Sequence, residues 1–490
     1  MSVVDWFKRA PASTKRRSYA AANTGRLFSD FVGSTRSSDA ELRPALSRIR
    51  ARSRDLARNN EYARRYLDLL RTNVVGDGVK LQVKALDSVG QLDSTGNNAV
   101  EAAFRRWGQV GNCTVDGRLS WTDVQRLTIE SVARDGEAFL ILHRGAGLKR
   151  DSFAIELIEP DQIDEDLNRA ASDGKNQIRM GVELDRMRRP VAYHIETAHP
   201  GDTEIVRPIR SKTQRIPAER VIHIYRQLRA GQTRGEPWMA SALSSLKMLD
   251  GLREAAIVNA RVGASKMGFF TSPAGDGFIS DENDGNVPIM DATPGSISQL
   301  PAGVGFEAWN PQFPSTDIGA FQTSILRGIA SGLGVTYNAL NNDLESTSYS
   351  SIRQGALEER DMYRGVQAFL IDHMVRPVYL AWLGAAMELN SFGIPLRQFD
   401  RFADASMFRG RTWSWVDPLK ESQALIQGMQ AGIQSLDDAA SHYGRDSEDL
   451  LAQIARDRDL AAQFGITYAL QPFGVQKMPV DADGVEGDEE

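Results

Sequence analysis

The chain reads as an α+β protein assembled from segregated blocks. Three observations predict this. Helix-period and strand-period segments mix between residues 39 and 236. Two long helical stretches bracket a Gly- and Pro-rich insert between residues 237 and 331. Three capped helical runs come after Trp415.

Residues 1–38 are rich in Ser, Thr, Ala and Arg with little periodicity and read as an extended arm. Residues 39–72 carry one helical pattern, with Ser38 or Asp39 as its cap and Gly76 and Gly78 closing the short segment after it. Residues 79–83 alternate as a strand. Helices are predicted over 97–108 and 121–135, the second with Ser120 as N-cap and Asp123 three residues on. Strands are predicted over 137–143, 153–158 and 221–225. Residues 181–184 and 191–195 flank the turn-like stretch 185–190, a hairpin signal. A long helix is expected over 237–263, about 40 Å at 1.5 Å per residue. Residues 269–313 change character, with many Gly and Pro and short apolar pieces, and read as a small β-rich insert. A second helix, 316–331, comes after a Ser315 cap. A polar loop, 341–351, leads into a long helix ending near Pro377, on which Leu357, Val366, Phe369, Leu370 and Met374 recur at helical spacing. The closing helical runs are 418–431, 436–443 and 447–464, with Ser435/Asp438 and Asp446/Asp449 as caps.

The composition excludes several classes. Apolar content of 41% and charged content of 25% are those of a folded globular chain. The lone Cys113 rules out an intramolecular disulfide and fits a reducing compartment, hence assembly in the cytosol. No apolar run approaches the ~20 residues of a membrane span, and residues 1–10 lack a signal-peptide core. The net charge of −6 is unevenly spread. Residues 1–72 hold 16 Lys plus Arg against 7 Asp plus Glu, while six of the last ten residues are acidic. The basic start reads either as a solvated face with a tail or as a contact for nucleic acid or an acidic partner.

Signals for chemistry are weak. There is no GxxxxGK[ST] loop and no GxSxG elbow. Gly303, Gly305 and Ala308 mimic a dinucleotide loop, but no helix comes after them. The six histidines show no metal-ligand spacing, and His194 and His199 are read as loop residues. His143 and His223 end apolar strands and read as structural. Glu159-Pro160-Asp161 after a strand is either a turn or a carboxylate pair. In a metal-dependent nucleic-acid enzyme such a pair would hold Mg²⁺. No catalytic residue, metal or cofactor is assigned.

Three separated segments carry a family resemblance. Residues 332–337 (GLGVTY), then Tyr349-Ser350-Ser351-Ile352-Arg353 opening a Glu/Arg-rich helix, resemble "GLGVPY … YSS.R", with Thr336 in place of proline. Arg58, Asn59, Tyr62, Ala63 and Arg64, then Asn73-Val74-Val75-Gly76 and Gly78, resemble "R.N.YAR … NVVG.G". Residues 223–250 (HIYRQLRAGQTRGEPWMASALSSLKMLD) fit a third pattern. In order and content these are similar to phage portal proteins of the lambda family.

The resemblance implies a portal-protein fold: an α/β wing (39–236), a stem of two helices (237–267 and 315–333) around a β-rich clip (268–314), a tunnel loop (334–352), a long kinked helix with the rest of the wing (353–416), and a helical crown (417–466), between an arm and an acidic tail. It implies a dodecameric ring at one vertex of the virion head, through which double-stranded DNA is packaged and later ejected. The implied partners are the terminase large subunit, the capsid and scaffold proteins, and the neck adaptors, with no membrane. The residues expected at the DNA channel are Asn341, Asn342, Asp343, Glu345, Ser346, Thr347, Ser348 and Tyr349, a loop without a cation. On the stem they are Lys247, Arg253, Asp317 and Arg327. For docking at the clip they are Asp276, Asp281, Glu282 and Asp284. A channel that lets DNA slide must not grip its phosphates, and the cation-poor stem and loop agree with that. A scaffolding protein without a channel is the remaining alternative.

Overall fold

The structure is a computed structural model. It describes residues 33–148, 150–172, 174–202, 213–264, 268–271, 282–284, 287–289, 305–308, 318–343, 349–413, 418–443 and 445–465.

The single helix expected over 39–72 is three: α1 (Ser38–Leu42), α2 (Leu46–Asn59) and α3 (Glu61–Leu70), ending in a π-turn, Arg71–Val75. The cap of α1 is Ser37, not Ser38 or Asp39; its hydroxyl accepts from the Ala40 N–H at 3.4 Å. The break at Asn60 hides in an unbroken apolar pattern because Asn60 is itself the cap of α3, accepting from the Ala63 N–H at 2.9 Å. Strand β1 (Lys80–Val83) comes next, then α4 (Ser94–Trp107), begun by Asp93, and α5 (Trp121–Asp135), begun by a Ser120/Asp123 capping box as predicted.

β2 (Glu137–Arg144) is central in a three-stranded antiparallel sheet, between β3 (Phe153–Ile158) and the later β8. A second sheet runs β4 (Gln177–Arg179), β5 (Val182–Leu184), β6 (Pro190–Glu196) and β7 (Thr213–Pro217), with β5 and β6 forming the predicted hairpin. His194 lies within β6 rather than in a loop. β8 (Val221–Tyr225) returns to pair with β2.

The next helix, α6 (Leu243–Ala264), starts six residues later than predicted, because residues 238–242 form turns after Pro237. In the insert β9 (Gly268–Thr271), β10 (Glu282–Asp284), β11 (Val287–Ile289) and β12 (Gly305–Ala308) pair as β9–β12 and β10–β11, so the described part is β-structured. Beyond it runs α7 (Ile318–Leu333), and the expected cap Ser315 lies outside the described residues. A short α8 (Tyr337–Asn341) precedes α9 (Tyr349–Leu370).

The long helix does not stop at Pro377. A π-turn at Ile371–Val375 leads straight into α10 (Arg376–Glu388), with Pro377 in its first turn. Proline is tolerated there because its missing N–H falls where the hydrogen-bond ladder is already reset. α11 (Phe399–Asp404) and β13 (Ser406–Arg409) occupy the stretch read as mixed, and β13 pairs with β1 more than 300 residues away. α12 (Pro418–Gln430), α13 (Leu436–His442) and α14 (Ser447–Gln463) close the described chain. Ser435/Asp438 and Asp446 cap α13 and α14 as predicted.

The main core joins α3, α4, α5 and α10. Phe104 stacks on Trp107 at 5.3 Å and meets Trp382 edge-on at 5.0 Å, and both tryptophans are fully buried. Cys113 is buried here, its thiol pushed up to about 12 by desolvation, which makes it inert.

Two glycines let chains cross beneath this core. A Cβ on Gly136, at φ +96°, would lie 2.5 Å from the Glu236 carbonyl carbon. One on Gly235 would lie 2.1 Å from the Gly136 oxygen. Alanine at either is expected to cost roughly 2–5 kcal/mol, read from the urea midpoint. A midpoint within error of the unmodified chain would show that the crossing relaxes.

Candidate functional site

Two regions of the fold hold concentrated polar chemistry. The first is a buried ion cluster centred on the start of β2. Glu137 begins β2 and is fully buried, as is Arg234. The Arg234 Nε donates to both Glu137 oxygens at 2.9 Å, and its other nitrogens donate to the carbonyls of Met180 (2.8 Å), Pro160 (3.1 Å) and Ile163 (3.1 Å). Arg50 from α2 donates to Glu137 at 3.0 Å, and His223 from β8 contacts it at 3.0 Å. Burial would push the Glu137 carboxyl up, but Arg234 and His223 more than offset this and hold it far below the usual carboxylate range. Burial, with Arg234 nearby, keeps the His223 pKa below its ordinary value. As the neutral ring it donates from Nε2 to Glu137 and accepts from the Tyr193 hydroxyl at Nδ1.

Glu159, Asp161 and His199 lie at the rim of this cluster and bring one ligand atom each within 4.8 Å of one another. Their carboxylates are engaged by arginine. Arg54 Nη2 lies 3.3 Å from Glu159 and 2.5 Å from Asp161, and Arg50 lies 3.5 Å from Asp161. Both carboxylates are already paired with guanidiniums, so Glu159-Pro160-Asp161 is an ion-paired turn.

The second region is the pair α6 and α7 with the loop after α8. The two helices pack together, and their inner ends are anchored in the core by Leu243, Leu246 and Leu249 on one and Leu326, Ile329 and Leu333 on the other. Large apolar side chains are nevertheless exposed on both helices: Met248 is 76% exposed and Phe321 57%, with Ile257 and Val258 also exposed. Two of the cations are engaged by neighbouring side chains. Arg253 pairs with Glu61 and lies over the Tyr62 ring, and Arg327 lies over the Tyr337 ring at 5.6 Å. Asp250 accepts from Asn60 at 2.8 Å, while Lys247 is exposed.

The polar loop is shorter than predicted. Asn341 belongs to α8 and Tyr349 to α9. Asn342 takes a left-handed backbone (φ +55°), a conformation asparagine tolerates, and turns the chain out of α8. The Asn341 amide donates to the Tyr337 hydroxyl at 2.9 Å, which donates to Asp343 at 3.1 Å. This relay fixes where the loop leaves. Glu345, Ser346, Thr347 and Ser348 lie outside the described residues, as do Asp276, Asp281 and Asp317. Glu282 and Asp284 sit on β10.

Thr336, which replaces the family's proline, caps α8 and donates to Glu359 at 3.5 Å, and Tyr363 donates to the same carboxylate at 3.0 Å. Burial pushes the Glu359 carboxyl up despite these hydrogen bonds. An acid whose folded pKa is raised costs stability as pH climbs through that value. Glu359→Gln is therefore expected to raise the melting temperature at pH 7 by roughly 1–2 °C. A lower melting temperature at pH 7 would show that the charge is used.

Sequence reasoning missed Arg50, Glu137 and Arg234. The available signal was Gln232, Arg234 and Gly235 within the third matched segment.

The family described as phage portal protein, lambda family, matches residues 24–367. A probable portal protein of Halomonas phage phiHAP-1 is 34% identical over 486 residues, covering 97% of this chain and 92% of that protein. Portal protein B of Escherichia phage lambda is 26% identical, covering 91% and 90%. Among solved structures, a chain from the neck of an empty GTA particle aligns with a TM-score of 0.42 and 14% identity over 86% of this chain and 99% of its own. With the family pattern spanning most of its length, the chain belongs to the lambda family of phage portal proteins and is a portal protein of the phage head–tail connector.

Proposed function

We propose that copies of the chain form a dodecameric ring in the virion neck through whose axis duplex DNA is packaged and ejected. In this reading residues 39–236 form the wing, with its second part in residues 353–416. α6 and α7 are the stem, residues 268–314 the clip and α12–α14 the crown. Residues 342–348 form the constriction. The terminase large subunit, and later the neck adaptors, dock on the clip through Asp276, Asp281, Glu282 and Asp284. Capsid and scaffold proteins meet the wing. The role is structural, and the DNA is guided rather than cut. No helix among the described residues is long and apolar enough to cross a membrane.

The observation that carries the reading is the state of α6 and α7. Their roots are in the core, yet Met248, Ile257, Val258 and Phe321 are uncovered. Covering each such side chain contributes about 1.5–3 kcal/mol, which a ring supplies by placing neighbouring copies there. α6 and α7 carry few cations, and Arg253 and Arg327 among them are engaged over Tyr62 and Tyr337, which supports a surface poor in phosphate-binding charge.

The test is assembly. Electron microscopy of the purified protein is expected to show rings with an axial hole, and light scattering a mass near a dodecamer of the 54.1 kDa chain. A compact particle without a hole that cleaves DNA would overturn the reading.

A further inference from the structure

The turn joining β5 to β6 is built tightly and displays arginine. The Asp185 N–H donates to the Arg189 carbonyl at 2.9 Å, and the Arg188 N–H to the Asp185 carbonyl at 3.0 Å. The Asp185 carboxylate accepts from the N–H groups of Met187 and Arg189, each at 2.8 Å. The one acid of the turn is thus spent on its own backbone. The hairpin register shifts at Glu183/Leu184, where the turn enters the ladder.

Arg186, Met187, Arg188 and Arg189 are all exposed. Arg188 has φ +63°, the left-handed region that this kind of hairpin turn normally gives to Gly or Asn. An arginine therefore stands at a position where its own side chain strains the backbone, and such outliers are a pointer to function. The loop after β8 lies alongside: a Cβ on Gly231 would be 2.9 Å from Arg188 Nη1, so a larger residue would displace the end of the guanidinium. That loop adds Arg226, exposed, and Arg229, which is held by Glu41 at 2.6 Å. Among the described residues, Arg186, Arg188, Arg189 and Arg226 have neither an ion-pair nor a hydrogen-bonding partner for their side chains.

We propose that this hairpin tip, with Arg186, Arg188 and Arg189 leading and Arg226 beside them, binds the phosphate backbone of duplex DNA on the outer wing surface. Guanidinium forks match phosphate oxygens in pairs. A projecting turn meets a rod-like polyanion better than it cradles a peptide, which would need a groove. Duplex DNA offers a charge about every 1.7 Å of its axis, so no base sequence is required. The contact is the opposite of the one in the channel: here DNA is held, there it slides. Ring formation is not a condition for this contact, and light scattering on the same samples reads assembly separately.

The test uses the full chain and a short fluorescent duplex, with affinity measured by anisotropy across a salt series. Replacing Arg186 and Arg189 by serine together with Arg188→Gly is expected to weaken binding and to flatten the slope of log K against log salt by about 3. Arg188→Gly alone is expected to flatten it by about one while raising the melting temperature, because glycine relieves the left-handed strain. The raised melting temperature certifies the fold of that variant. Unchanged duplex affinity and slope in the triple variant would overturn the proposal. So would a triple variant that loses binding to poly-glutamate but keeps its grip on the duplex, which would assign the tip to an acidic protein.

Discussion

Replacing Arg234 by alanine is expected to lower the stability of the folded chain by roughly 3–5 kcal/mol, the cost of leaving a buried charge unpaired. Arg234 is 0% exposed and satisfies Glu137 together with three backbone carbonyls from two different loops. Its removal strands Glu137 with only Arg50, His223 and the Gly235 N–H. Against a typical total of about 5–15 kcal/mol, the result is a large drop in soluble yield and in the urea midpoint. The double exchange Glu137→Met with Arg234→Met is expected to recover part of the loss, because it removes both charges. A midpoint unchanged in the single variant would show that the cluster does not hold the fold together.

The same cluster sets the acid limit. His223 has its folded pKa below its ordinary 6.5, so as pH falls below that value the unfolded chain takes up the proton first and stability is lost. Glu137 has its folded pKa below its ordinary 4.5, so its contribution is present above that pH and is lost as pH falls further. Stability is expected to be flat above about pH 7 and to decline toward acid in two stages. His223→Gln keeps a donor for Glu137 and should reduce the upper stage to the share of His194, whose pKa burial also lowers.

Deleting residues 343–348 is expected to give particles that assemble yet fail to retain DNA, lowering infectious yield by orders of magnitude. The Asn341–Tyr337–Asp343 relay fixes where the chain leaves α8, and α9 takes it up again at Tyr349. Charge matters here as much as length. Ser346→Lys with Ser348→Lys adds cations at one level of the ring, and each phosphate contact contributes about 0.9 to the salt slope. The expected outcome is packaging that stalls at low salt and recovers at higher salt. Stalling insensitive to salt would point to steric blockage instead.

Much of this fold was legible because its signals are local. The Ser120/Asp123 and Ser435/Asp438 boxes and the 185–190 turn need only a few neighbouring residues, and the structure has them where they were expected. The missed features are non-local or disguised. Asn60 interrupts a helix without interrupting its apolar pattern. Pro377 reads as a stop, but the preceding π-turn makes room for it. β13 cannot be named a strand without knowing that β1 lies beside it. Nothing local marks Arg50 and Arg234 as buried, because arginine is rarely buried without a partner, and their partner Glu137 is far away in sequence. In the candidate site the polarity of the loop was legible, but its bounds were not, since α8 takes Asn341 and α9 takes Tyr349.

The most direct test of the channel assignment is site-specific crosslinking in particles arrested during packaging. A photoreactive side chain at position 342 is expected to crosslink to the translocating DNA, whereas one at Val89, exposed on the loop after β1, gives none. Crosslinks from position 89 at equal or greater yield, with none from 342, would contradict the placement of the loop at the axis.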